Sequence, residues 1–230
     1  CNKQGTLATG PAKGAQKVVV LPDACHDKGF AMTSSFSTML LTALAVFDQS
    51  GTDISVLKPM AQILRTALPG FHAAVPARPA RAVFVGTGPL AYAAREAALK
   101  VMELSAGATP ALWDSTLGFR HGPKSFVTDD TLIAVFVSSD ADTARYDIDL
   151  ADELRSQFPD AQVITIGAGC DIGIDMSYGD TWGAPLAISF AQIAAVVWSA
   201  QMGLDVDDPF IGRGTLSRVV AGVRLYPVSQ

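Results

Sequence analysis

Two kinds of apolar pattern alternate along most of the chain. Four short stretches are almost unbroken in apolar and β-branched residues: RAVFVG (81–86), TPALWD (109–114), TLIAVFVSS (131–139) and AQVITIGAG (161–169). Runs of that length without polar alternation predict strands buried on both faces. Between and after them lie longer segments whose apolar positions recur three and four apart: PLAYAAREAALKVMELSAG (89–107), DIDLADELRSQF (147–158) and GAPLAISFAQIAAVVWSAQMGL (183–204). Their period predicts helices. Strands alternating with helices predict an α/β fold, with a parallel sheet covered by helices on both faces.

The N-terminal third is less regular. KVVVLP (17–22) predicts a further strand closed by proline. TSSFSTMLLTALAVFDQSG (33–51) predicts a helix opened by hydroxyl residues and stopped by Gly51, and SVLKPMAQILRTAL (55–68) another, with Pro59 in its first turn. PGFHAAVPARPAR (69–81) has three prolines and no period, so it reads as a linker between two units. From Asp205 onward, acidic residues, proline and glycines predict an irregular extension.

Composition narrows the partners. Apolar residues make up 49% and charged residues 17% of 230, which predicts sizeable buried cores. The net charge of −5 and the lack of a basic run exclude nucleic acid as an expected partner. Cys1, Cys25 and Cys170 are odd in number and scattered, as suits free thiols in a reducing compartment, and no metal-ligand spacing is present. The start of the chain lacks the cationic and apolar pattern of a signal peptide. Segment 183–204 is long enough to cross a bilayer, but Ser189, Gln192, Ser199 and Gln201 interrupt it and no cationic flank anchors it. A buried helix is expected there, with no membrane partner and a cytoplasmic location.

Four stretches carry candidate chemistry. A strand runs into Gly86-x-Gly88-x-x-Ala91 and a helix, with Asp114 ending the next strand, which is the relaxed dinucleotide pattern and equally a tight turn of any doubly wound sheet. Glu96, Lys100 and Glu103 share one helical stripe: either an exposed face laced by ion pairs, or a polar stripe in a cleft where Lys100 tunes a carboxylate for proton transfer. LGFRHGPKSFV (117–127) gathers Arg120, His121 and Lys124 among glycines and a proline, either a surface loop or a site for an anion beside a proton carrier. The hydroxyl cluster AMTSSFST (31–38), at a helix start, either caps that helix or offers N–H and hydroxyl groups to an anion or polyol.

Taken together, EAALKVMELSAG, STLGFRHGPKSFV and DTLIAVFVSSD closely resemble the second sugar isomerase (SIS) domain of the tagatose-6-phosphate ketose/aldose isomerases, a group also described as galactosamine-6-phosphate deaminases. AMTSSFSTMLL and SRVVAGVRLYP resemble the late part of that family's first domain and its C-terminal tail. The resemblance implies two tandem three-layer α-β-α units of flavodoxin-like type. The C-terminal part of a first SIS domain would cover 1–68, a linker 69–80, a second SIS domain 81–206, and a tail near the active site 207–230. It also implies that the strand, serine-rich phosphate loop and helix opening the family's first domain lie outside this sequence. Glu103 takes the place of the carboxylate that shuttles a proton between C1 and C2 of an open-chain sugar. His121 takes that of a histidine assisting ring opening, supplied in relatives by the neighbouring subunit, which implies a homodimer with shared sites. Lys100 and Arg120 would hold or tune the site, and Thr33 and Ser34 line its sugar side. Met32 stands where the synthase relatives carry serine. The expected activity is conversion of galactosamine 6-phosphate to tagatose 6-phosphate and ammonia, with no metal or cofactor. The alternatives are a glucosamine-6-phosphate deaminase, a plain ketose/aldose isomerase, or a non-catalytic module that binds a sugar phosphate.

Overall fold

The computed structural model describes residues 3–11, 14–214, 216, 224 and 226. In chain order the elements are α1 (Thr6–Thr9), α2 (Ser34–Phe47), α3 (Leu57–Ala74), β1 (Arg81–Gly86), α4 (Pro89–Leu104), β2 (Ala111–Ser115), α5 (Thr116–Phe119), β3 (Thr131–Phe136), α6 (Ala141–Gln157), β4 (Gln162–Gly167), β5 (Ile172–Gly173) and α7 (Gly179–Gln201). A 3-10 turn, Gly122–Phe126, follows α5. The five strands are parallel and ordered β2-β1-β3-β4-β5, which is the flavodoxin-like doubly wound arrangement. The four longer strands are those expected from the unbroken apolar runs.

Alternate side chains of the central strands feed two cores, because successive residues point to opposite faces. Ala82, Phe84, Leu132, Ala134 and Phe136 pack under α3, α4 and α7. Val83, Val85, Ile133 and Val135 pack with Phe119 of α5 and Leu150 and Leu154 of α6. Helices therefore cover both faces, as the continuous apolar strands require. The segment long enough to cross a bilayer is α7, whose most apolar window is 72% buried inside this layer. Small residues along α4 (Ala93, Ala94, Ala97 and Ala98) are buried in the core it shares with α7.

Two expectations in the N-terminal third fail. Residues 17–22 form no strand, and Val18, Val19 and Val20 are exposed. A strand needs a neighbour to satisfy its backbone, and every strand among the described residues comes from β1 onward. The expected linker also starts too early. Helix α3 runs through Pro69 to Ala74, and only about the last six residues before β1 are irregular. Pro69 removes one helical hydrogen bond. The turn beyond it survives because Phe71 is buried edge-to-face on Phe190 of α7, at 6.0 Å between ring centres. The segment resembling the family's C-terminal tail, 217–227, lies almost wholly outside the described residues, as does Cys1.

Candidate functional site

The helix carrying Glu96, Lys100 and Glu103 owes its placement to two glycines. A Cβ on Gly86 would lie 2.9 Å from the backbone and Cβ of Leu90, so only glycine lets α4 start this close to β1. Gly88 has φ +55, and Pro89 opens the helix where its missing N–H costs nothing. Alanines fill the inner side of α4, and the stripe of three charged residues is left at its flank. Lys100 is only 2% exposed. Its ammonium lies 2.5 Å from Oε2 of Glu103 and 3.3 Å from Oε1 of Glu96, whose side chains are 24% and 14% exposed. A lysine this deep stays charged only if carboxylates face it, and here two do. Burial pushes the Glu96 carboxyl above the usual range against the pull of Lys100, and the neighbouring charge of Glu103 adds to the rise. The exposed-face reading of the stripe is thereby excluded. The more accessible Glu103 carboxylate, oriented by one strong charge-assisted bond, can take up and return a proton.

Thr33 and Ser34 have a different environment from the one their sequence suggests. The N-terminus of α2 does not stand open to an anion. Asp27 fills it: Oδ2 accepts from the N–H of Thr33 at 3.0 Å and of Ser35 at 2.7 Å, and Oδ1 accepts from the N–H of Ser34 and the hydroxyl of Thr33, both at 3.0 Å. Burial works against the Asp27 anion, but these donors prevail and hold its carboxyl below the usual range. Sequence reasoning missed Asp27 because it caps from six to eight residues upstream, outside the usual N-cap position.

The basic cluster is divided. Arg120 pairs with Asp149 at 2.6 Å and with Glu153, and Lys124 pairs with Glu153 and bonds Gln157 at 3.1 Å, all on α6. Glu153, relieved by Lys124 and Arg120, sits below the usual carboxyl range. Arg120 is thus committed to holding the α5 turn against α6, and it is not brought to Lys100 and Glu103. His121 is exposed between the α5 turn and the 3-10 turn, and its ring makes no hydrogen bond among the described residues. Both turns cover the sheet face opposite α4. The structure therefore brings Lys100 and Glu103 together and places His121 across the sheet from them within one chain.

The dinucleotide pattern finds its outlet closed. In such sheets a ligand sits outside the carboxyl ends of the strands, at the switch between β1 and β3. Asp147 of α6, fully buried, fills that place. It accepts from the hydroxyls of Thr87 at 2.7 Å and Thr116 at 2.5 Å and from the N–H of Ser138 at 2.9 Å. Asp180 of α7 takes the hydroxyls of Ser138 and Ser139 and the N–H of Ser139, at 2.6–2.7 Å. Donors that would grip a phosphate are spent on the protein's own carboxylates. Asp114 is turned to its own loop, accepting from the N–H of Ser115 at 2.6 Å.

Among the described residues, two cavities border the layer of α3, α4 and α7. One of about 680 Å3 lies between α3 and β5, is lined mainly by apolar residues with Asp171 and Asp175 at its strand side, and holds none of the acid–base residues above. A smaller one of about 250 Å3 lies where Phe36 and Leu40 of α2 meet Pro89, Tyr92 and Ala93 of α4 and Thr181 and Ala184 of α7. Pro89, Ala93, Glu96, Lys100 and Glu103 follow one stripe of α4, so this cavity lies at the start of the stripe that carries the lysine and its carboxylates.

No family model matches the chain. D-galactosamine-6-phosphate deaminase of Escherichia coli is 40% identical to it over 243 aligned residues, which take in 99% of the chain and 63% of that relative. The crystal structure of tagatose-6-phosphate ketose/aldose isomerase from Escherichia coli superposes with a TM-score of 0.86 at 37% identity, over 99% of the chain and 62% of that structure. Glucosamine-6-phosphate deaminase from Thermotoga maritima superposes with a TM-score of 0.68 at 25% identity, over 85% of the chain and 59% of that structure. The chain is therefore a homologue of these proteins and shares their α/β fold, while spanning less than two thirds of the length of each.

Proposed function

We propose that the protein is an amino-sugar-phosphate isomerase and deaminase, converting galactosamine 6-phosphate to tagatose 6-phosphate and ammonia. The observation that carries this reading is the buried Lys100 clamped between Glu96 and Glu103 on a helix that the sequence shares with the sugar isomerase family. Glu103 takes the C2 proton of the open-chain amino sugar and returns it to C1. The enamine formed between these transfers becomes an imine at C2, which water hydrolyses to the ketose and ammonia. Lys100 orients Glu103 through their charge-assisted hydrogen bond.

In the same reading His121 serves the site of a second subunit, so the working unit is a homodimer with shared sites. The packing of its flanking turns on the sheet face opposite α4, which carries Glu103, supports this. Thr33 and Ser34 line the sugar side at a helix start that Asp27 holds through the Thr33 hydroxyl and the N–H of Ser34. The tandem arrangement belongs here too, with 1–68 forming part of a first unit and 81–206 the second. A cytoplasmic setting agrees with Cys25 and Cys170, both free thiols.

Ammonia release from galactosamine 6-phosphate and glucosamine 6-phosphate, measured in parallel on the full-length gene product, tests the reading. Faster release from the galactosamine ester is expected. Release from neither would remove deamination and leave a plain isomerase or a binding module.

A further inference from the structure

The amide nitrogen of Gln192 on α7 is buried and has no hydrogen-bond partner among the described residues. Leaving a buried donor without an acceptor is costly, so this one calls for a use. The packing of α4 and α7 indicates what that use is. Both helices leave the carboxyl ends of parallel strands, cover the same sheet face and pack along each other, so they run in the same direction. The smaller cavity sets their relative level, because Pro89 and Ala93 stand there beside Thr181 and Ala184. Advancing about eleven residues along a helix is about three full turns, which returns to the same face some 16 Å farther on. From Pro89 that step reaches Lys100, and from Thr181 it reaches Gln192.

From this juxtaposition we propose that Gln192 is a substrate-binding residue of the same site, set on α7 at the level of Lys100 and Glu103 on α4. Its amide donates a hydrogen bond to the substrate oxygen on C1, where negative charge gathers as Glu103 removes the C2 proton. The inference rests on the proposed function and adds a residue on the helix opposite the carboxylates. Ser199 offers a contrast. Its hydroxyl is also unpartnered and lies two turns beyond Gln192 on the same stripe, but the whole of Ser199 is buried. Gln192 is only partly covered.

The test is Gln192→Leu in the full-length protein, compared with wild type for ammonia release and for binding of galactosaminitol 6-phosphate, the reduced open-chain analogue, by calorimetry. Loss of the donor is expected to lower kcat about a hundred-fold and to leave the thermal midpoint unchanged or higher, because no folded-state partner is lost. Binding of the analogue should weaken by less than kcat falls, since the charge on C1 oxygen develops only in the reaction. A wild type that turns over beside a Gln192→Leu protein within about threefold in kcat overturns the role of Gln192 and leaves the proposed function standing. A fall in activity accompanied by a matching fall in thermal midpoint also overturns it, in favour of a purely structural glutamine. A wild type that neither binds the analogue nor releases ammonia removes both readings together.

Discussion

Replacing Lys100 with methionine removes the cation at the centre of the site and keeps the length of the side chain. At an effective dielectric of about 20, ion pairs at 2.5 and 3.3 Å carry about 5–7 kcal/mol of gross attraction each. Most of that offsets the desolvation of a lysine 2% exposed, so the gross figure is not the net effect. Deleting one member of a buried pair typically costs about 3–5 kcal/mol, and the partial exposure of Glu96 and Glu103 places Lys100→Met near the lower end, about 3 kcal/mol at pH 7.5. For a chain of this size that lowers the thermal midpoint by roughly 6–12 °C. The deficit depends on pH. Without Lys100 the pull that lowers the Glu96 carboxyl is gone while burial and the charge of Glu103 remain, so the folded state raises its affinity for a proton further above the unfolded value of about 4.3. A carboxyl whose folded pKa is raised binds more protons folded than unfolded between the two values, so stability falls as pH rises through that window. Urea unfolding of wild type and variant at pH 5 and pH 7.5 should therefore show a smaller deficit at the lower pH. Stability within about 0.5 kcal/mol of wild type at pH 7.5, or a larger deficit at pH 5, would refute the picture of a buried lysine neutralising two carboxylates.

Asp27→Ala removes a carboxylate that four donors hold, and about 1–2 kcal/mol of stability should go with it in denaturant unfolding. Because the Asp27 carboxyl is held below its usual range, its contribution is present above the unfolded pKa and lost as pH falls through the lower folded one. Wild type and variant should accordingly converge in strongly acid solution. Gly86→Ala forces a Cβ to 2.9 Å from Leu90 and should destabilise by about 1–3 kcal/mol, whereas a variant as stable as wild type would show that α4 can slide away from β1.

The sheet was largely legible because its strands are covered on both sides. Continuous apolar runs such as 131–136 leave no other place for the segment than the middle of a layered fold. Residues 17–22 have a similar composition and form no strand, since pairing depends on a neighbour that composition does not reveal. Pro69 was read as a helix end, and the packing of Phe71 on Phe190, a contact across more than a hundred residues, outweighs it. The stripe of Glu96, Lys100 and Glu103 was visible as spacing, but the same spacing describes a solvated face. Only the burial of Lys100 separates the two cases. Long-range pairing hid the rest. Arg120 and Lys124 look available to an anion until Asp149 and Glu153, some thirty residues later, are folded against them. Gln192 looked like an interruption in an apolar helix, and its significance comes from what the neighbouring helix places opposite it.

The most direct test of the central claim, that Glu103 moves a proton at carbon, is solvent deuterium exchange. The full-length protein and its Glu103→Gln variant are incubated with tagatose 6-phosphate and ammonium in heavy water, and deuterium at C1 is followed by NMR. Wild type should introduce deuterium at C1, and Glu103→Gln, with its fold and its affinity for the sugar phosphate retained, should introduce it at least about a hundred-fold more slowly. Exchange at the wild-type rate in the Glu103→Gln protein would contradict the assignment of Glu103 as the proton carrier.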